Sequence, residues 1–125
     1  MRSAFTSESA STVGPYSHAV ETGDLLYCSG QTPVDPSTGR LVLGDAGVQT
    51  RQCFANLFSV LAAAGLGADD VIKVNVYLTH MHDFEAMNVA YAEAFTEPYP
   101  ARTTVGVAAL PLGAKVEIEL IAQRC

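Results

Sequence analysis

Two stretches of helical period, divided by one stretch of strand period, constrain this chain more than anything else in it. From Gly47 to Ala64, the residues Cys53, Leu57, Leu61 and Ala64 recur every three to four positions, and Phe54 and Phe58 widen the stripe. Asp45 stands where an N-cap belongs, and Gly65 where a left-handed C-terminal cap belongs. A second helix runs from a cap at Asp83 through Phe84, Met87, Tyr91, Ala94 and Phe95, and Pro98 and Pro100 end it. Between the helices, Val71 to Thr79 alternates. Ile72, Val74, Val76 and Leu78 make one apolar face; Val71, Lys73, Asn75, Tyr77 and Thr79 make a mixed one.

Strands flank this centre. Val20 to Gly23 and Leu25 to Ser29 surround the Gly23-Asp24 turn signal, and Thr32 to Gly39 reads as a loop. Arg102 to Val107 and Lys115 to Ala122 close the chain around the turn Leu110-Pro111-Leu112-Gly113. In the last strand Ala114, Val116, Ile118, Leu120 and Ala122 face one way, and Lys115, Glu117, Glu119 and Gln123 largely the other. The order is β-β-α-β-α-β-β, with room for one more strand in the small, polar lead-in. That is an α/β (α+β) fold with a mixed sheet, and 125 residues make it a single domain, 1–125. Two helices cover only one face of such a sheet. The uncovered face, with Tyr77, Thr79 and Thr104, is too mixed for a core and too apolar for plain solvent, so it points to packing between copies in a homo-oligomer.

Seven basic residues against thirteen acidic ones give a net charge of −6. That balance argues against non-specific nucleic-acid binding and against docking on an anionic membrane, since both need basic side chains. It leaves room for an anionic small ligand beside one well-placed arginine. Cys28, Cys53 and Cys125 are odd in number and widely spaced, which fits neither a disulfide framework nor a zinc site. The first residues carry Glu8 and no apolar run, unlike a secretory leader, so a soluble cytoplasmic protein is expected.

Several side chains carry possible chemistry. Arg102 opens a strand with no acidic residue in the next four positions, and its planar guanidinium suits a carboxylate; the plain alternative is a salt bridge. Glu117 lies among Val and Ile residues, where apolar walls raise a carboxyl's pKa and fit it for general acid–base work; the alternative is a solvated charge like its neighbour Glu119. If the last two strands pair as a hairpin, Arg102 and Glu117 share a sheet face. Tyr16 presents a hydroxyl on a rigid Gly14-Pro15 turn or packs its ring beneath the loop. Ser29-Gly30 at a strand end offers a hydroxyl and close backbone approach, or is a plain turn. His80 and His82 with Asp83 imitate a metal cluster but lack the ligand count of one. Helical Asn56 and Asn88 are either ligand contacts or backbone partners. Cys28 and Cys53 read as small buried hydrophobes.

Taken in order along the chain, four blocks resemble the reactive intermediate deaminase family, also called Rid, RidA or YjgF. They are Gly14-Pro15-Tyr16-Ser17-His18-Ala19-Val20, Cys28-Ser29-Gly30-Gln31-Thr32-Pro33, Pro100-Ala101-Arg102-Thr103-Thr104-Val105, and Leu110 to Ile118 with its Leu-Pro and Glu117. Asn88-Val89-Ala90-Tyr91 and Ala64-Gly65 match as well. The resemblance implies a chorismate-mutase-like fold, and a homotrimer whose sheets form a central barrel with clefts between subunits. It implies hydrolysis of 2-imino acids and their enamine tautomers, such as 2-iminobutanoate or 2-iminopropanoate, to 2-keto acids and ammonia, with no cofactor and no metal. It gives Arg102 the substrate carboxylate and Glu117 the attacking water, and makes Tyr16, Ser29, Gly30, Asn88 and Thr104 ligand-lining positions. Thr104 stands where many members have cysteine. Competing expectations are a non-catalytic module that binds small carboxylates at a subunit interface, a pathway-specific enamine deaminase of aminoacrylate or aminomuconate type, and an endoribonuclease, which the charge disfavours.

Overall fold

A computed structural model describes residues 2–8, 10 and 14–125. The strands are β1 (Ser3–Phe5), β2 (Ala19–Thr22), β3 (Leu25–Gln31), β4 (Val34–Asp35), β5 (Arg40–Leu41), β6 (Val71–Leu78), β7 (Ala101–Gly106) and β8 (Val116–Gln123). The helices are α1 (Ala46–Ala63) and α2 (Phe84–Ala94). The expected order is present, the extra N-terminal strand included. The stretch read as a loop carries the small β4–β5 hairpin, whose turn is tied by Asp35 accepting from the Ser37 backbone and hydroxyl at 2.9 and 2.7 Å.

Six strands form one mixed sheet in the order β1-β2-β3-β8-β6-β7. All neighbours are antiparallel except β6 and β7, which run parallel and are linked by α2. The last two strands therefore do not pair. The crossover through α2 lays β7 beside β6, and β8 inserts on the other side of β6, because a parallel connection through a helix packs that helix back on the sheet.

Both helices cover one face. Leu57, Val60 and Leu61 of α1 and Met87 of α2 are fully buried against Val74, Val76, Leu78, Val116, Ile118 and Leu120. Each such side chain contributes about 1.5–3 kcal/mol by leaving water. An aromatic cluster joins the helices: Phe54 meets Tyr91 and Phe95 edge-on, with ring centroids 5.5 and 5.3 Å away. The cap at Asp45 forms, accepting from the Val48 amide at 3.0 Å, and Gly65 takes φ +76° as Leu66 donates back to Leu61. Asp83 occupies the N-cap position of α2 but makes no capping hydrogen bond; its carboxylate faces His82 at 3.5 Å instead.

One alternation differs from expectation. A bulge at Val71–Ile72 puts two residues of β6 against one step of β8, so Val71 turns inward and Ile72 is left 42% exposed. From Lys73 onward the expected alternation holds. The open face carries Tyr27, Tyr77, Val105, Glu117, Glu119 and Ile121, a mixed surface as expected, but Thr104, expected there, pairs with core-facing Val76 and lies on the helix side instead. No helix among the described residues is long and apolar enough to cross a membrane.

Candidate functional site

The side chains expected to act together fall into two clusters on opposite faces of the sheet. Arg102 pairs in register with Val74, whose side chain is in the core, so Arg102 points to the helix side. Glu117 pairs with Tyr77, on the open face. The expectation that the two share a face is therefore corrected. It assumed a hairpin, whereas β6 lies between β7 and β8 and its register sets them on opposite sides.

Around Arg102, α2 builds a cradle. Nη1 donates to Asn88 Oδ1 at 2.7 Å, and the guanidinium carbon lies 4.7 Å from the Tyr91 ring centroid and 5.6 Å from that of Phe84. A cation over aromatic faces with one nitrogen fixed is held in orientation while its remaining N–H groups can meet a planar anion. The cradle is rigid because Tyr91 also packs on Phe54 and Phe95. A cavity of about 330 Å³ opens here, lined by Asn88, Tyr91, Ala92, Tyr99, Pro100 and Arg102. The Tyr91 hydroxyl and the Thr104 Oγ1 are buried without a hydrogen-bond partner. Thr104 follows Arg102 by two residues and shares its face. An orphaned hydroxyl beside a cation, as at Tyr91, marks a place where a ligand or a water completes the structure.

On the open face a second cleft, about 550 Å³, is lined by Gly14, Tyr16, Ser29, Gly30, Thr32, Pro111, Glu117 and Glu119. A bulge in β3 shapes it: Cys28 pairs with Leu120 but Gln31 with Ile118, which takes Ser29 and Gly30 out of even register with β8. Ser29 Oγ donates to the Ser17 carbonyl at 2.7 Å, tying the Tyr16 turn to the strand. Gly30 leaves room for the Glu117 carboxylate, which a Cβ there would force to shift. Burial, and then the neighbouring Glu119 charge, push the Glu117 carboxyl above its ordinary value. Glu119 in turn accepts from Tyr77 Oη at 2.6 Å and Asn75 Nδ2 at 3.1 Å.

The remaining candidates are structural. Asn56 is buried and donates to the carbonyls of Thr32 and Val34, fastening α1 to the strand that leaves the cleft. Cys28 and Cys53 are buried thiols; desolvation pushes Cys28 up to about 12 and Cys53 well above its usual value. His80 and His82 stack on each other, with centroids 5.1 Å apart, and among the described residues no three potential metal ligands gather. Sequence reading missed the Tyr91, Phe84 and Met87 cradle, because those residues have the spacing of a core stripe. It also missed Tyr99, Thr32, Pro111 and the Tyr77–Asn75–Glu119 bonding, which only strand register reveals.

A family described as Endoribonuclease L-PSP matches residues 6–124. A RutC family protein of Pyrococcus horikoshii is 48% identical over 120 residues, spanning 96% of this chain and 95% of its own. A 2-iminobutanoate/2-iminopropanoate deaminase of Dermatophagoides farinae is 44% identical over 109 residues, covering 87% of this chain and 85% of its own. The crystal structure of RidA from the Antarctic bacterium Psychrobacter sp. superposes with a TM-score of 0.94 at 43% identity, over 98% of this chain and 99% of that one. The chain belongs to the YjgF/RidA family.

Proposed function

We propose that the protein is a hydrolase that converts 2-imino acids and their enamine tautomers to 2-keto acids and ammonia, in clefts shared between the subunits of a homotrimer. The observation that carries this reading is Arg102: a guanidinium held by Asn88 and Tyr91 beside an open cavity on an edge strand, with the buried Tyr91 hydroxyl next to it left to a ligand. The deaminase named among its relatives supports it.

Within one subunit Arg102 and Glu117 are two strands apart and three residues out of step, roughly 14 Å along the sheet, and on opposite faces. The outer edge of β7 and the half-apolar open face are the surfaces through which a neighbour would bring its Glu117 cleft to Arg102. In the assembled trimer the open faces turn inward as a barrel and the helices lie outside.

The chemistry follows from that pairing. Arg102 fixes the substrate carboxylate and so the position of the imine carbon. Glu117, aided by backbone at the Ser29–Gly30 bulge, orients a water. As the water oxygen bonds to the imine carbon, the Glu117 carboxylate takes its proton. It passes that proton to nitrogen, giving the amino alcohol. Glu117 then takes the remaining hydroxyl proton and delivers it to nitrogen as the carbonyl forms and the carbon–nitrogen bond breaks, so ammonia and the 2-keto acid leave. Water is the sole co-reactant in this scheme. Tyr16, Ser29 and Gly30 line the water side, and Asn88 and Thr104 the carboxylate side. A net charge of −6 weighs against RNA as the substrate.

The test is ammonia release from imino acids generated in place by an amino-acid oxidase. The reading requires faster release with the protein than without it; an unchanged rate across small aliphatic and aromatic imino acids contradicts it.

A further inference from the structure

The Glu117 cleft holds a second carboxylate that the proposed chemistry leaves idle. Glu119 lies two residues along β8, on the same face and in the wall of the same cleft. Its Oε1 is gripped from β6 by Tyr77, at 2.6 Å, and by Asn75, at 3.1 Å. Asn75 stands directly across from Glu119 in the ladder, whereas Tyr77 stands across from Glu117 and reaches diagonally to Glu119. The tyrosine that could have served Glu117 is thus committed to its neighbour.

We propose that Glu119 is a positioning residue for the Glu117 proton chemistry: a carboxylate pinned in place by Tyr77 and Asn75 so that its charge faces Glu117 and makes that group a stronger base. The catalytic half of this proposal rests on the deaminase reading; the effect on Glu117 itself does not.

Within the subunit, other groups facing Glu117 do not offset that charge, and in the proposed shared cleft the neighbour's Arg102 is taken up by the substrate carboxylate. On β6, the Lys73 ammonium donates to Thr103 Oγ1 at 2.9 Å. Just before β8, Lys115 Nζ donates to the Gly44 carbonyl at 3.0 Å. Cys53 of α1 lies beneath as a buried neutral thiol, and the open-face neighbours Tyr16, Tyr27 and Tyr77 are phenols. Among the described residues no cation pairs with either carboxylate. Donating to Glu119 and partial burial push the Tyr77 phenol up to about 12, so it stays a donor across the working pH range. A carboxyl group in apolar surroundings beside a second carboxylate keeps its proton to higher pH. A base whose proton affinity lies nearer neutral pH takes a proton from water more readily.

The experiment follows the Glu117 carboxyl directly by carbon NMR of glutamate-labelled protein, with the signal assigned by its loss in Glu117→Gln. In Glu119→Gln, which keeps an amide oxygen for Tyr77 to donate to, the Glu117 titration should move to lower pH. Tyr77→Phe, which loosens Glu119, should move it the same way by less. The acid limb of kcat/KM for ammonia release should move with the NMR titration. A Glu117 titration unmoved or raised in Glu119→Gln, at unchanged melting temperature, overturns the proposal. So does an NMR shift with an unmoved acid limb. If wild type released no ammonia, the deaminase reading would fall alone, and the NMR arm would still decide whether Glu119 governs Glu117.

Discussion

Arg102 is in register with Val74, and Glu117 with Tyr77, and these two partners project from opposite faces of the same strand. In the proposed trimer, a substrate held by the guanidinium of one subunit would meet the carboxyl of another. Arg102→Ala and Glu117→Gln subunits, each inactive alone, should then rescue one another when co-refolded. Random mixing in a trimer with shared sites leaves about a quarter of them with both residues intact, so roughly that share of the wild-type rate should return. Mixed oligomers as inactive as their parents would contradict the shared cleft, and light scattering that finds only monomer at micromolar concentration would contradict the trimer.

The pH dependence of stability follows from Glu117. Its folded-state carboxyl titrates above the ordinary glutamate value, so the native state binds the proton more tightly than the unfolded chain. Stability from this group is then fully present below the unfolded value and declines as pH rises through the folded one. Glu117→Gln removes that decline. The variant should gain melting temperature relative to wild type at neutral pH, with the gap closing near pH ~4. The same substitution should lower turnover far more than keto-acid affinity, because the amide keeps the shape and loses the proton chemistry. Equal losses in both would make Glu117 a structural or binding residue.

Much of this was legible in the sequence where periodicity speaks. The two helices, the alternation of Val116 to Ala122 and the half-apolar open face follow from side-chain period alone. What period cannot carry is which strands pair. Nothing local to Arg102 or Glu117 says that β6 lies between their strands, so their separation onto two faces was invisible. Nor can alternation announce a bulge, which is why Ile72 seemed to belong inside. Tyr91 was hidden for another reason: its ring serves the core and the Arg102 cradle at once, and sequence shows only the first role.

Asn56 gives a stability prediction apart from the chemistry. Its amide nitrogen donates to the Thr32 and Val34 carbonyls at 3.3 and 2.9 Å inside the core. Asn56→Leu leaves both without that donor, at a cost of about 1–3 kcal/mol. Chemical denaturation should show a lower midpoint with an unchanged slope; a wild-type midpoint would contradict the assigned role.

Thiol chemistry tests the burial pattern. Cys28 and Cys53 are buried, with thiols held in the neutral form, while Cys125 is exposed. Native protein should take up a single equivalent of an alkylating reagent, mapped to Cys125, and the other two should react only on unfolding. Rapid native labelling of Cys28 would contradict the packing of β3.

The central claim is that Arg102 anchors the substrate carboxylate, and Arg102→Ala tests it most directly. Losing one member of a partly desolvated ion pair costs about 2–5 kcal/mol, or roughly 30- to several-thousand-fold. Arg102→Lys keeps the charge without the two-pronged geometry and should fall between. Ammonia release, keto-acid affinity and melting temperature should be measured together on both variants. The account predicts a folded Arg102→Ala protein with turnover and affinity lost by that margin. A folded Arg102→Ala protein that still turns over imino acids at the wild-type rate would contradict it.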